Sequence, residues 1–348
     1  RYWMDEPGDN AMVYWSENHQ ILFAASEYLA GQRYPDAMFA DRRSGAAHRD
    51  AARARILFWL EQRWRFGFSE WNSHYYAEDI APLANLIDFA RDGEIRRKAT
   101  IVLDLLLFDV ASQSLHGEFV AASGRLYENN KKFGDASIRR VIRHAFDGVT
   151  GEAEGIEINF LQSSYRTPPV LAAIAHDGGD VAIRASAGRD LAELGDDESL
   201  STEDRRIMAQ WGMEAFSNPR AIAPTLAYVR EHALFDNPYF AALRPLNYRV
   251  LQVPGVLPAV SWLLDIPVNG VALQRANTYT YRTRDYAMST TIDYQPGSFG
   301  NQQHVFNLTL DPGMTLFLTH PAVWPRDPPP NGNAPGYWTG SGRLPLSC

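Results

Sequence analysis

The sequence has almost no cysteine. Its one thiol, Cys348, is the last residue, so no disulfide can close within the chain and no cysteine-built zinc site can form. No apolar run reaches the roughly 18–20 residues of a membrane span. There is no block of like charge either. Acidic and basic residues are mixed along a chain of formal net charge −8, without the concentrated basic face that grips nucleic acid. An anionic substrate held by a few local Arg and Lys stays compatible with that balance. No His-x-x-x-His or His–Glu pair stands at metal-ligand spacing, and no Gly-x-Ser-x-Gly or Gly-rich phosphate loop occurs. The start, Arg1-Tyr2-Trp3-Met4, is neither an initiator methionine nor a charged leader. With the abrupt end GSGRLPLSC, it makes the chain read as part of a longer protein, incomplete at both ends.

What is present is apolar and aromatic. The 348 residues are enough for one large domain or two ordinary ones. Apolar residues make up 45% and aromatics 12%, with nine Trp and sixteen Tyr. Such rings build large cores, and their flat faces also stack on sugars.

Residues 10 to about 240 read as helices. Asn10 or Asp9 is placed to cap a helix running to Ala30, ended by Gly31 and Pro35. A second helix is expected over 47–66, with Ile56, Leu57, Trp59 and Leu60 on its buried side. Then 76–91 and 94–115 form a pair broken at Asp92-Gly93. The stretch ATIVLDLLLFDVA in the latter is apolar nearly all round and is expected to be buried. Shorter helices are expected near 136–147, 168–177, 202–216 and 219–234, the last capped by Asn218 with Pro219 in its first turn. From about residue 245 the pattern changes. NTYTYRTRDYAMSTTIDYQ, VFNLTL and MTLFLTH carry strand formers, with Pro-Gly and Asp-Pro-Gly at the turns. The fold class is therefore α+β: a helical domain over 1–244, then an antiparallel β domain over 245–348, with 325–336 a loop.

Four polar clusters are candidates for chemistry. The first is Ser16-Glu17-Asn18-His19, between two aromatics and an apolar run; it is either an exposed helix start or the lip of a cleft. The second, residues 68–79, brings Glu70, Asn72, His74, Tyr75, Tyr76 and Asp79 onto an interhelical segment, where Ser73 or Asn72 could also simply cap the next helix. The third follows His116-Gly117 and holds Arg125, Tyr127 and Lys131, a set suited to an anionic substrate or to plain solvation. The fourth, residues 293–304, ends in His304 and is either a decorated hairpin or part of a site.

Helical pairs followed by an antiparallel β domain resemble the (α/α)-toroid polysaccharide lyases: the alginate lyase, heparinase II/III-like and chondroitin AC lyase families. Asn18-His19 resembles the adjacent Asn and His of those families, and Tyr76 follows His19 by 57 residues, with Tyr75 beside it. SEWNSHYYAEDIAPLANL, SGRLYENNKK and DYQPGSFGNQQH also look like stretches of uncharacterised bacterial toroid proteins. Glu17-Asn18-His19 departs from the Asn-Asn-His form common in part of the group. The resemblance implies a helical toroid followed by a β-sandwich, a secreted or periplasmic location, and β-elimination at a uronic acid. It makes Asn18, His19, Tyr76 and Tyr75 the catalytic set. Asn18 would neutralise the substrate carboxylate with Arg125 or Lys131, and Tyr76 or neutral His19 would take the C5 proton. Tyr76 would then protonate the leaving oxygen, its ordinary value of about 10 lowered by His74 or Arg125. Glu17, Glu70, Asn72, His74, Arg125, Tyr127, Lys131 and His304 would bind substrate. The scheme needs no cofactor and no metal; scattered Asp and His leave a structural divalent cation open.

Two other readings stand beside it. Glu17 and Glu70, with Asp79 in reserve, could serve a glycoside hydrolase, inverting if the carboxylates lie roughly 6.5–9.5 Å apart. Stacked helical pairs could also be a scaffold or a glycan-binding surface, on which these residues never converge.

Overall fold

The computed structural model of the chain describes residues 2–4, 12–126, 130, 134–150, 155–241, 243–253, 255–263, 272–292, 294, 303–311 and 314–317. They form a mixed α+β protein with an antiparallel five-stranded sheet. The chain divides into two units, Arg1–Phe58 with Arg189–Gln274 and Gln295–Phe299, and Trp59–Gly188 with Arg275–Tyr294 and Gly300–Cys348. This division does not follow the boundary expected at 244/245.

In the first unit, helix α1 covers Glu17–Arg33 and helix α2, Gly45–Phe66, begins. The expected caps at Asn10 and Asp9 lie outside the described residues, and α1 starts later, behind Ser16 in extended backbone. The cause is the pair before it. Tyr14 and Trp15 are fully buried, and Trp15 meets Trp211 and Phe240 with ring centroids 5.8 and 4.6 Å away. Such burial against distant rings outweighs helix propensity over two residues. Those partners come from α8 (Glu203–Gly212) and α10 (Pro238–Ala241), and α9 (Ile222–Glu231) adds Ile222, Leu226, Tyr228 and Val229 to the same core. Much of the aromatic content is thus core. Asn218 does not cap α9 directly: its carbonyl accepts from Ala221 and Ile222 in the preceding turn. Gly31 continues α1 instead of ending it. A Cβ there would stand 2.3 Å from the Gly45 carbonyl oxygen, so the end of α1 and the start of α2 touch backbone to backbone. Residues 245–263, expected to open the β domain, form 3-10 turns Arg244–Asn247 and Arg249–Gln252 and helix α11, Val256–Leu263.

In the second unit, α3 (Tyr76–Phe89) pairs with α4 (Gly93–Ser112). The break at Asp92-Gly93 is an N-cap: Asp92 Oδ1 accepts from Glu94 and Ile95 N–H at 2.8 and 3.4 Å. Helix α4 is buried on one face only. Ile101, Leu105 and Phe108 are exposed at 37, 37 and 44%, which corrects the expectation of burial all round. Their three- and four-residue spacing puts them on one stripe, away from Val102, Leu103, Leu106 and Val110. A two-strand hairpin, β1 (Ser114–Leu115) and β2 (Glu118–Phe119), follows, then α5 (Ala136–Asp147), α6 (Ile158–Leu161) and α7 (Pro169–Ala175).

The sheet runs β3-β4-β5-β6-β7, every pair antiparallel: Val181–Ala187, Ala276–Arg282, Ala287–Ile292, Phe306–Asp311 and Met314–Phe317. Strand β3 was not expected from the sequence. It pairs along its whole length with β4, from Val181 against Arg282 to Ala187 against Ala276. The buried face of this sheet is polar: Thr278, Thr280, Arg282, Ser289, Thr291, Asn307 and Thr309 are all buried. Alternation places Tyr279, Tyr281, Met288 and Leu308 on the other face.

Candidate functional site

The first unit holds one of the sequence clusters, the start of α1. The Ser16 side chain makes no capping hydrogen bond to the backbone of the helix it precedes. Its hydroxyl lies 2.7 Å from Asn18 Oδ1 and 2.6 Å from His19 Nδ1. Asn18 Oδ1 can only accept, so the single hydroxyl proton goes there. His19 must then donate from Nδ1, and the lone pair resides on Nε2. With Oδ1 engaged, Asn18 presents Nδ2 as its donor. Glu17, Asn18 and Gln20 are buried and His19 is half-buried. Gln20, which the sequence reading passed over, anchors the turn. Its Nε2 donates to Trp15 O at 2.7 Å and to Met208 O at 2.9 Å on α8.

In the second unit the described residues of the other three clusters come together. Gly124 N–H donates to Trp71 O at 2.8 Å, and Ser123 and His304 exchange backbone bonds of 2.8 and 2.7 Å. Asn72, His74, Glu118, Asp135, His304 and Asn307 line a cavity of about 50 Å³. That is room for a few waters and not for a sugar ring. Tyr127 and Lys131 lie outside the described residues.

Around the cavity the groups differ sharply in charge state. His74 Nδ1 faces the Arg125 carbonyl at 3.3 Å, so Nδ1 carries the proton. Burial pushes this imidazole down to about 4; the Arg125 charge adds to that and its carbonyl opposes it. Tyr75 is half-buried, its ring 4.0 Å from that of His74 and 4.9 Å from the Arg125 guanidinium. Arg125 pairs with Glu70 at 3.0 Å. Glu78, not singled out from the sequence, is pushed up to about 7 by burial first, then by Asp135, Glu70 and Glu157. A carboxyl raised toward neutrality and an ion-paired one that feel each other's charge are the kind of pair that divides acid and base roles. Glu17, the expected partner of Glu70, belongs to the first unit.

Raising a carboxyl in the folded state makes folding favour the proton. Stability is then greatest below the ordinary value of 4.5 and falls as pH climbs toward 7. Glu78→Gln removes this slope. The variant is expected to gain about 2 kcal/mol on wild type at pH 8 and almost nothing at pH 4, read from urea midpoints. Equal shifts at both pH values would show that Glu78 is ordinary.

Tyr76 is 1% exposed. Its hydroxyl accepts the Asn72 N–H at 2.9 Å, and Asn72 is held at a left-handed φ of 50°, which Asn tolerates better than most residues. The phenol thus fixes the turn ahead of α3. Tyr76→Phe strands a buried N–H and is expected to cost about 1–2 kcal/mol in urea unfolding. A variant as stable as wild type would remove this structural role.

Among the described residues, no group of three or more His, Cys, Asp or Glu is placed to hold a metal ion, and no helix is long and apolar enough to cross a membrane. Comparison with family models, curated proteins and solved structures finds no match to the chain.

Proposed function

We propose that the protein is a polysaccharide lyase that cleaves a uronic-acid-containing glycan by β-elimination, built as a helical toroid with a β-sandwich and working in a secreted or periplasmic setting. The observation that supports it is the Ser16–Asn18–His19 turn, where one hydroxyl sets both an amide donor and the tautomer of a base. In the reaction, Asn18 Nδ2 donates to the uronate carboxylate as charge builds there. His19 Nε2 takes the C5 proton. The electron pair closes the C4–C5 double bond, the C4–O bond breaks, and the leaving oxygen takes a proton. In a syn elimination that proton returns from the imidazolium just formed.

A hydrolase is the second reading, favoured by Glu78, whose carboxyl burial pushes up to about 7, and by the Glu70–Arg125 pair. The test is a screen of alginate, heparan, chondroitin, hyaluronan and glucuronan. Ultraviolet absorbance of an unsaturated product is followed together with reducing ends. Both rising together is the expected result. Reducing ends without absorbance would replace elimination by hydrolysis and move attention to Glu70 and Glu78.

A further inference from the structure

The second unit holds a larger cleft, of about 530 Å³, away from the small polar cavity. That volume is in the range of small-molecule sites, about 300–1,000 Å³. Its lining includes His116, Asp147, His176, Asp177, Arg282 and Arg284. None of these is used by the elimination or hydrolysis schemes.

Arg282 is 3% exposed. Its Nη1 donates to Ala111 O and Ser114 O at 3.2 and 3.0 Å, and its Nη2 to Ile174 O at 3.0 Å. The Ala111 and Ile174 carbonyls stand in the last turns of α4 and α7, where helix dipoles favour a cation, and that of Ser114 belongs to β1. Among the described residues no carboxylate pairs with it, and its Nε–H is buried without a hydrogen-bond partner. Burial lowers the proton affinity of this guanidinium and the Asp177 charge in the same lining opposes that, yet one buried donor stays unmet and suits a further acceptor.

The mouth of the cleft is also specially built. His116 and Gly117 form the two-residue turn between β1 and β2, at φ of 51° and 83°. Asn-Gly is the usual choice for such a turn, and a histidine there is strained. The imidazole Nε2 donates to Arg284 O at 3.0 Å and Nδ1 lies 3.5 Å from Asp311. His176 pairs with Asp147 at 3.1 Å, and Asp177 accepts from Gly179 N–H at 2.9 Å.

Two arginines alone would suit any anion. Two aspartates in the same lining disfavour a compact dianion such as phosphate and suit vicinal hydroxyls. We propose that this cleft binds a sugar acid, a small polyhydroxylated carboxylate, with Arg282 and Arg284 taking the carboxylate and Asp147 and Asp177 the hydroxyls. The site is separate from the elimination scheme and stands or falls apart from it.

The test is calorimetric titration of the whole chain at pH 7 with sodium glucuronate, galacturonate and mannuronate, against D-glucose and inorganic phosphate. Saturable binding of at least one uronate, about tenfold tighter than glucose or phosphate, is expected. Arg284→Ala keeps the carbonyl that His116 uses, and Asp177→Asn keeps the acceptor for Gly179. Each is expected to weaken binding about tenfold. No uronate binding, phosphate binding as tightly, or affinity indifferent to both cleft variants would overturn the proposal.

Discussion

Gln113→Leu is expected to destabilise the second unit by about 2–5 kcal/mol, seen as a lower urea midpoint at unchanged slope. The reason is a closed ring of buried hydrogen bonds. Ala122 N–H donates to Ser289 Oγ at 2.9 Å, and Ser289 and Thr280 hydroxyls meet at 2.7 Å. Thr280 donates to Gln113 Oε1 at 2.9 Å. Gln113 Nε2 donates to Asn72 Oδ1 at 3.1 Å, and Asn72 Nδ2 returns to Ala122 O at 2.9 Å. Thr280 has one proton and gives it to Gln113, so Ser289 must be the donor between the two hydroxyls. The ring has a single consistent direction. Leucine matches glutamine in bulk but removes two links and leaves an acceptor on Asn72 and a donor on Thr280 without partners. Thr280→Val should cost a comparable amount, because it strands the Ser289 hydroxyl proton and Gln113 Oε1. The double variant should show positive coupling, since the groups share one network. A Gln113→Leu midpoint within about 0.5 kcal/mol of wild type would mean that water replaces the amide and the ring carries little.

His19→Gln is expected to lower the rate of unsaturated-product formation by about 10²–10⁴, the usual contribution of a positioned proton-transfer group. Glutamine can still donate to Ser16 Oγ, so the turn and the urea midpoint should survive. What disappears is the Nε2 lone pair. Asn18→Ala should have a smaller effect on the rate at saturation and a larger one on KM if the amide mainly binds the carboxylate. It should lower kcat if the amide acts on the developing charge. Elimination within about threefold of wild type in His19→Gln would sink the base assignment.

Much of the helical text was legible. The pair α3 and α4 and the Asp92 break follow from period and capping chemistry, and α5 begins and ends where its residues indicate. Exposure was less legible. Ile101, Leu105 and Phe108 look like core because composition alone cannot tell a buried face from an apolar stripe left open. The three loop clusters that meet at Ser123, His304, Trp71 and Asn72 could be named one by one, since polar residues bunched between helices are conspicuous. Their meeting could not be inferred, because it depends on a backbone bridge between residues far apart in the chain. Glu78 was hidden for a related reason. Its elevated proton affinity comes from burial beside Asp135, Glu70 and Glu157, which no local pattern encodes.

Read in order, the residues were enough for class and texture: a helical first part, strands near the end, no cysteine chemistry, and polar clusters at Ser16–His19 and at 68–79. Short-range periodicity and caps carry that information, since each is decided within a turn or two of chain. Tertiary contact alone made β3 a strand, turned Thr280, Ser289 and Arg282 inward, and made Tyr76 a structural phenol beside a half-buried Tyr75. Those outcomes rest on which distant groups become partners once water is removed, and a buried donor or acceptor has its energy set by that partner and not by its neighbours in sequence.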